Sequence, residues 1–308
     1  MDNDFNETYI TFDGHVELQK YRYLYFLIIF TAYILIICSN SIIVCIIVIN
    51  KSLHEPMYIF IAALLINSVL FSTAIYPKLL IDFLSEQQII SYSACLFQWF
   101  IYYTLGGSEF FLLSVMAYDR YVSICKPLQY HTIMRKTTVY IFLILAWFLP
   151  TCQTSVGLLL IAYKKLCYFI LKGIICNSTV NKLYCVPSAV LNIYGLIVVV
   201  VTVPLPVLFI LFTYTRIFIV TYGSSREVRR KAAQTCLPHL LVLINFSCLG
   251  TYDVLLPRME TIFSQTVYLS MSLQMILYHP LFNPIIYGLK MKEIYKHLKR
   301  LFSRDKLN

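Results

Sequence analysis

Apolar residues along this chain come in seven long runs, roughly 24–49, 57–80, 97–122, 139–162, 191–217, 234–257 and 264–288, separated by short polar stretches. A helix needs about 20 residues to cross the hydrocarbon core of a bilayer, and every run is long enough. Only helices and closed barrels satisfy their backbone in lipid, and the ten-residue alternating segments of a barrel are not seen. The pattern predicts an all-α membrane protein: one seven-transmembrane domain over 1–308, with an N-tail at 1–23, a helix bundle at 24–288 and a C-tail at 289–308. In that second tail Met291, Ile294, Leu298, Leu301 and Phe302 recur at spacings of three and four, with Lys292, Lys296, Lys299 and Arg300 between them. This spacing predicts a short amphipathic helix lying on the membrane face.

Composition supports the membrane reading. Of the 308 residues, 59% are hydrophobic and only 13% charged, whereas a soluble domain carries about a quarter charged residues. The net charge of +10 raises nucleic acid as a partner, so its distribution matters. Seven crossings put the termini on opposite sides. Lys and Arg number 17 on the side holding 50–56, 119–138, 216–231 and the tail from 290, against 8 on the other. Such an excess marks the cytoplasm. The expectation is a multi-pass plasma-membrane protein, N-terminus extracellular and C-terminus cytoplasmic, whose basic loops face acidic lipid rather than nucleic acid. No apolar signal region precedes the first run, so a cleavable leader is not expected.

Asn6-Glu7-Thr8 and Asn177-Ser178-Thr179 are glycosylation sequons on the predicted outside, while Asn245-Phe246-Ser247 lies within the sixth run, out of reach. Of ten cysteines, Cys95, Cys167, Cys176 and Cys185 fall in outer loops or at an outer helix end. Four cysteines in an oxidising compartment predict two disulfides and leave three pairings open. The other six read as small packing residues.

Four motifs carry the chemistry: Leu53-His54-Glu55-Pro56-Met57-Tyr58 in the first inner loop, MAYDRYVSICKPLQY at 116–130, KAAQTCLPHL at 231–240 and NPIIYGLK at 283–290. Arg120 beside Asp119 at the end of an apolar helix can form a charge-assisted latch of modest strength, as a switch requires. Pro284, deep in the seventh run, removes a backbone hydrogen bond and kinks the helix. With these motifs in this order, the chain resembles rhodopsin-like G-protein-coupled receptors, specifically odorant receptors, over nearly its whole length. Ile75-Tyr76-Pro77-Lys78 and an aromatic-poor sixth run resemble a fish-type branch.

The resemblance implies that Arg120 pairs with Asp119 when inactive and lines a G-protein cavity when active. Tyr121, Tyr214, His239, Asn283, Pro284 and Tyr287 complete the switch, with Tyr287 swinging inward and Thr235 and His239 taking part in a movement of the sixth helix. It implies the pairings Cys95–Cys176 and Cys167–Cys185. Its partners would be an olfactory stimulatory heterotrimeric G protein that raises cyclic AMP, a small-molecule odorant and the lipid bilayer; no catalytic residue is implied. Ser247 departs from the pattern, standing where odorant receptors commonly place an aromatic switch residue.

By the same alignment the ligand lies in the outer half of the bundle, near Tyr102, Tyr103, Gly106, Gly107, Val199, Thr202, Gly250, Thr251, Tyr252, Leu273 and Ile276. Tyr102 stands where amine receptors hold an aspartate, so an aminergic function is not expected. Tyr, Thr, Gly and aliphatic residues suit a small, weakly polar odorant, and the glycine pair leaves room beside the third helix.

Glu109 is the only acidic residue deep inside a run, about three turns before Asp119. An intramembrane carboxylate is a functional candidate by default, and odorant receptors often carry a glutamate at this place. With Asn67, Ser68 and Asn283 near it, Glu109 is expected either to form a sodium site or to be a protonated acid hydrogen-bonded to its neighbours. Asn40 and Asn283 are expected to share a polar network. No cofactor is expected apart from such an allosteric sodium ion: the six histidines are scattered over both faces and fit no metal-ligand spacing. A transporter would show inverted repeats and paired intramembrane charges; no repeat is found. The nearer alternative is a rhodopsin-like receptor outside olfaction.

Overall fold

In the computed structural model, residues 8–15, 18–162, 164–255 and 265–304 are described. Helices α1 (Leu18–Ile49), α2 (Pro56–Leu84), α3 (Tyr92–Cys125), α4 (Lys136–Ala162), α5 (Ala189–Tyr222), α6 (Arg226–Leu255), α7 (Gln265–Lys290) and α8 (Lys292–Arg304) follow the predicted order. Among the described residues, α1 to α5 are each long and apolar enough to cross a bilayer, and α6 contains the shorter apolar segment His239–Cys248. Helix α3 is the central strut, packing against α2, α4, α5 and α6. Large apolar side chains such as Leu27, Ile144, Phe148, Leu208 and Phe212 point outward and are exposed. Such a surface belongs in lipid rather than water.

The helix ends follow local chemistry. Pro56 opens α2, where a missing N–H costs nothing. Ser91 and Ser188 cap α3 and α5 by accepting from the amides of Ala94 and Leu191, each at 3.4 Å. Helix α5 is broken: Ala189–Thr202 ends at Val203, and Pro204 starts a second segment, Pro204–Tyr222. The sequence reading took this run as one helix. A proline tolerated at a first helical turn cannot donate to the turn before it, so the break falls there.

Prolines also shape α7, which contains Pro280 and Pro284. Each leaves the carbonyl four residues earlier without its helical N–H. For Pro280 that carbonyl belongs to Ile276, and the buried Tyr76 hydroxyl of α2 donates to it at 3.2 Å. For Pro284 it belongs to Pro280, and Nδ2 of Asn40 in α1 donates to it at 3.0 Å. Asn40 thus joins α1 to α7 through the backbone beside Asn283 rather than through the Asn283 side chain.

The N-tail holds a feature that the sequence pattern did not suggest. Strand β1 (Tyr9–Phe12) lies between β2 (Ile89–Ser91) and β3 (Ile170–Leu171), antiparallel to the first and parallel to the second. Tyr9 faces Ser91, and Thr11 faces Ile170. The strands are too short for periodicity to betray them. Gly14 crosses Gly173 so closely that a Cβ on Gly14 would stand 2.5 Å from the Gly173 carbonyl carbon. Beneath the sheet, disulfides join Cys95 to Cys176 and Cys167 to Cys185. Ile10, Phe12, Ile90, Leu171 and Val180 form a second small core there. His15 tucks edge-on against Phe83 with centroids 5.7 Å apart. Burial and the nearby Lys78 charge push its imidazole down to about 4, so it is neutral at physiological pH.

Tyr76→Phe keeps the ring stacked on Tyr33 and removes only the hydroxyl, leaving the Ile276 carbonyl buried and unpaired. The expected cost is about 1–2 kcal/mol, read as a lower unfolding midpoint of the purified protein. An unchanged midpoint would show that α7 does not need this bond.

Candidate functional site

Two polar sites and one cavity lie along the bundle axis. At the end of the bundle that carries Asp119, Arg120 and Tyr121, Asp119 is fully buried. Its Oδ2 accepts from Arg120 Nε at 3.1 Å and from Arg120 Nη2, and its Oδ1 accepts from the Tyr130 hydroxyl at 2.8 Å. The Tyr130 contact was not anticipated, although Tyr130 closes the quoted motif. Burial and the Asp119 charge push the Tyr130 hydroxyl up, so it keeps its proton for this bond. His239 lies edge-on to Tyr287 with centroids 5.6 Å apart. The Tyr214 and Tyr287 hydroxyls and both His239 ring nitrogens are buried without a hydrogen-bond partner among the described residues. Tyr121 is half-buried and packs near Tyr118. The side chain of Thr235 lies outside the described residues.

Midway along the bundle, Asn283 Nδ2 donates to Ser68 Oγ at 3.0 Å and to Glu109 Oε1 at 3.1 Å. Ser68, Glu109 and Asn283 are all fully buried. Asn67 turns elsewhere: its Nδ2 donates to the Leu105 carbonyl at 3.0 Å, and its Oδ1 accepts from Trp147 Nε1 at 3.2 Å. It therefore binds α2 to α3 and α4 rather than joining the Glu109 cluster.

Nearer the disulfide end, a cavity of about 160 Å³ opens between α3, α4, α5 and α6. Its volume is below the range of drug-sized pockets, which fits a smaller molecule. Tyr102, Tyr103, Gly106, Gly107, Val199, Thr202 and Gly250 line it, as the alignment expected. Thr251 is exposed, and Leu273 and Ile276 stand outside the lining, with Met275 representing α7. The side chain of Tyr252 lies outside the described residues.

The sequence reading missed the α4 wall. Pro150, Gln153, Thr154 and Gly157 line the cavity at the i, i+3, i+4, i+7 spacing of one helix face. This small and polar stripe in an otherwise apolar run was the available signal. It also missed Phe246, which meets Phe110 at 4.6 Å between centroids and floors the cavity. Ser247, at the expected aromatic position, is half-buried with an unpartnered hydroxyl among the described residues. The aromatic contact is supplied one residue earlier.

The glycine pair divides its work. A Cβ on Gly106 meets nothing within 4 Å, whereas one on Gly107 would stand 3.0 Å from Pro150 Cβ. Gly106 leaves space for a ligand; Gly107 lets α3 approach α4. A short 3₁₀ turn (Ser178–Leu183) roofs the cavity through Ser178 and Asn181. Asn177 caps that turn, its Oδ1 accepting from the Thr179 amide at 3.1 Å and hydroxyl at 2.7 Å. Only 8% exposed, Asn177 is held inward, a position at odds with the glycan its sequon suggests. Asn6 lies outside the described residues. Among the described residues, no group of three or more His, Cys, Asp or Glu could hold a metal ion.

The olfactory receptor family model matches residues 29–305. Human Olfactory receptor 11A1 is 31% identical over 96% of this chain and 95% of its own length. Human Olfactory receptor 10J4 is 31% identical over 98% and 97%, and human Olfactory receptor 10A5 is 33% identical over 94% and 90%.

Gly106→Leu is expected to fill the cavity without disturbing the helix, since leucine is a better helix former than glycine. Ligand response should fall at least about tenfold, the equivalent of about 1.4 kcal/mol, at normal surface expression. Gly107→Leu should instead reduce expression, because Pro150 blocks it. Surface labelling beside dose–response curves separates the two.

Proposed function

The chain belongs to the olfactory receptor family, whose members are multi-pass plasma-membrane receptors for odorants acting through G proteins and not enzymes, and we propose that its odorant binds in the cavity between α3, α4, α5 and α6. The observation that carries this reading is the shared scaffold of cavity and switch. On α6, Gly250 and Phe246 face the cavity, and His239 faces Tyr287. A ligand that presses on Phe246 acts on the same rigid helix that carries His239. Phe246 lies seven residues from His239, about two turns along one face.

The proposed orientation has the N-terminus and disulfides outside and the Arg120 end in the cytosol, supported by the Lys and Arg distribution. The partner would be a stimulatory G protein that raises cyclic AMP. In the resting state, Asp119 holds Arg120, and Tyr130 holds Asp119. Outward movement of α6 would free the guanidinium for the G protein. It would also bring the unpartnered hydroxyls of Tyr214 and Tyr287 a new polar neighbour or water. Ligand and G protein then favour the same state, and their binding is reciprocally coupled.

The test is cyclic AMP in cells expressing the receptor, challenged with an odorant panel beside Arg120→Ala. The wild type should respond, and the variant should reach the surface but fall to background. Full signalling by the variant would overturn the role given to Arg120.

We also propose that Glu109, Ser68 and Asn283 hold a sodium ion. A buried carboxylate needs a compensating positive charge or a proton. Glu109 and Ser68 supply oxygens of the hard kind such an ion takes, and Asn283, whose Nδ2 now donates to both, carries a buried Oδ1 without a hydrogen-bond partner among the described residues. Agonist potency should differ between sodium-free and sodium-containing medium in the wild type and become sodium-independent in Glu109→Gln. A wild type indifferent to sodium would assign Glu109 to a protonated, hydrogen-bonded form.

A further inference from the structure

Gln153 is the odd residue in the cavity wall. It sits on α4 among small and apolar neighbours, half-buried, with its side chain at the cavity. Two bonds fix it. The Thr202 hydroxyl donates to its side-chain Oε1 at 3.3 Å, and the Tyr194 hydroxyl donates to its backbone carbonyl at 2.6 Å. Both partners come from α5. The amide oxygen is therefore committed to Thr202, and the primary amide retains two N–H donors. Those donors meet no acceptor among the described residues. A preorganised donor in an apolar cavity orients a ligand and specifies its chemistry.

We propose that Gln153 is the polar anchor of this cavity and selects ligands that present a hydrogen-bond-accepting oxygen, such as ketones and esters, over hydrocarbons of equal size. The inference rests on the cavity's being the odorant site and adds the ligand class. Thr202 is the positioning residue. Its hydroxyl turns the amide so that N–H, rather than C=O, faces the ligand. The aliphatic part of the ligand would lie along Gly106, Val199 and Phe110 towards Phe246. A ligand with an ammonium group gains nothing here, because no carboxylate lines the cavity among the described residues.

The test uses purified receptor in lipid nanodiscs, titrated with octanone, hexyl acetate and nonane. Trp99 lies in the cavity wall, so its fluorescence reports occupancy. The ketone and ester should bind about tenfold more tightly than nonane, the worth of one buried hydrogen bond. Gln153→Leu should erase that preference while leaving nonane binding unchanged. Gln153→Glu, nearly identical in shape but lacking the donors, should also lose it and gain affinity for octylamine. Thr202→Val should weaken the preference in part. A wild type that binds the carbonyl compounds no better than nonane overturns the proposal, as does a Gln153→Leu receptor that keeps the preference. Cyclic AMP measured with the same compounds separates this from the wider reading. Oxygen-selective binding without signalling would retain the anchor and overturn the receptor role. Signalling by octanone and hexyl acetate that Gln153→Leu leaves at full potency would do the reverse.

Discussion

Helix α7 depends on two hydrogen bonds that its own sequence cannot make. Pro280 and Pro284 free the carbonyls of Ile276 and Pro280, and a bare carbonyl in a dry bundle costs several kcal/mol. Tyr76 and Asn40 supply the missing donors from α2 and α1. The repair is not equivalent to a helical bond, because it comes from neighbouring helices. It fixes the outer part of α7 to α1 and α2 and leaves the segment after Pro284 tied less to its own preceding turn. That segment carries Tyr287. The same prolines therefore set both the anchored half of α7 and the half free to rearrange. Gly288 completes the arrangement by letting Ile43 approach to where a Cβ would stand, 3.1 Å away.

This division matters because the Arg120 end has not satisfied its polar groups. Tyr214, Tyr287 and His239 contribute four buried atoms with no hydrogen-bond partner among the described residues. Native interiors rarely tolerate such groups, and each raises the energy of the state that contains it. The Asp119–Arg120–Tyr130 cluster is the opposite case, since both oxygens of the buried Asp119 carboxylate are paired. This arrangement thus combines one well-made lock with several unmet donors and acceptors. A state that breaks the lock but satisfies the others can lie within a few kcal/mol, which is the condition for ligand control.

The architecture was legible because bilayer physics leaves a coarse record. Runs of about 20 apolar residues have few readings, and the four motifs fixed which ends face which way in the alignment. The polar cluster around Glu109 was legible for a related reason, since a carboxylate there must have partners; Ser68 and Asn283 are those partners, and the structure sends Asn67 to Trp147 instead. Choosing between amides one residue apart requires the rotation of α2, which composition does not encode. The β1 strand escaped notice because four residues carry too little periodicity, and its partners lie far away in sequence. The α4 wall is not legible from the resemblance, which points to α3, α5, α6 and α7. Yet Pro150, Gln153, Thr154 and Gly157 form a stripe on one face that only needed to be read as a helix.

The cavity exists because α3 meets its neighbours unevenly. At Gly107 the absence of a side chain lets α3 close on Pro150, and at Gly157 it lets α4 close on Trp99, where a Cβ would stand 3.0 Å from the indole. Between these pinch points the helices are held at fixed separation, and Gly106 withholds a side chain from the gap. A void bounded by close contacts resists collapse, so the cavity stays open without a ligand to prop it. Its roof is equally constrained: Gln98 accepts from the Cys176 amide at 2.9 Å, adding a hydrogen bond to the covalent tie between α3 and the loop. Its floor is the least constrained part. Phe110 and Phe246 pack ring on ring, a contact worth about 1 kcal/mol beyond area burial, and Phe246 belongs to α6. On the proposed reading a ligand in this cavity would press on that floor, and Phe246 stands on the helix that carries His239.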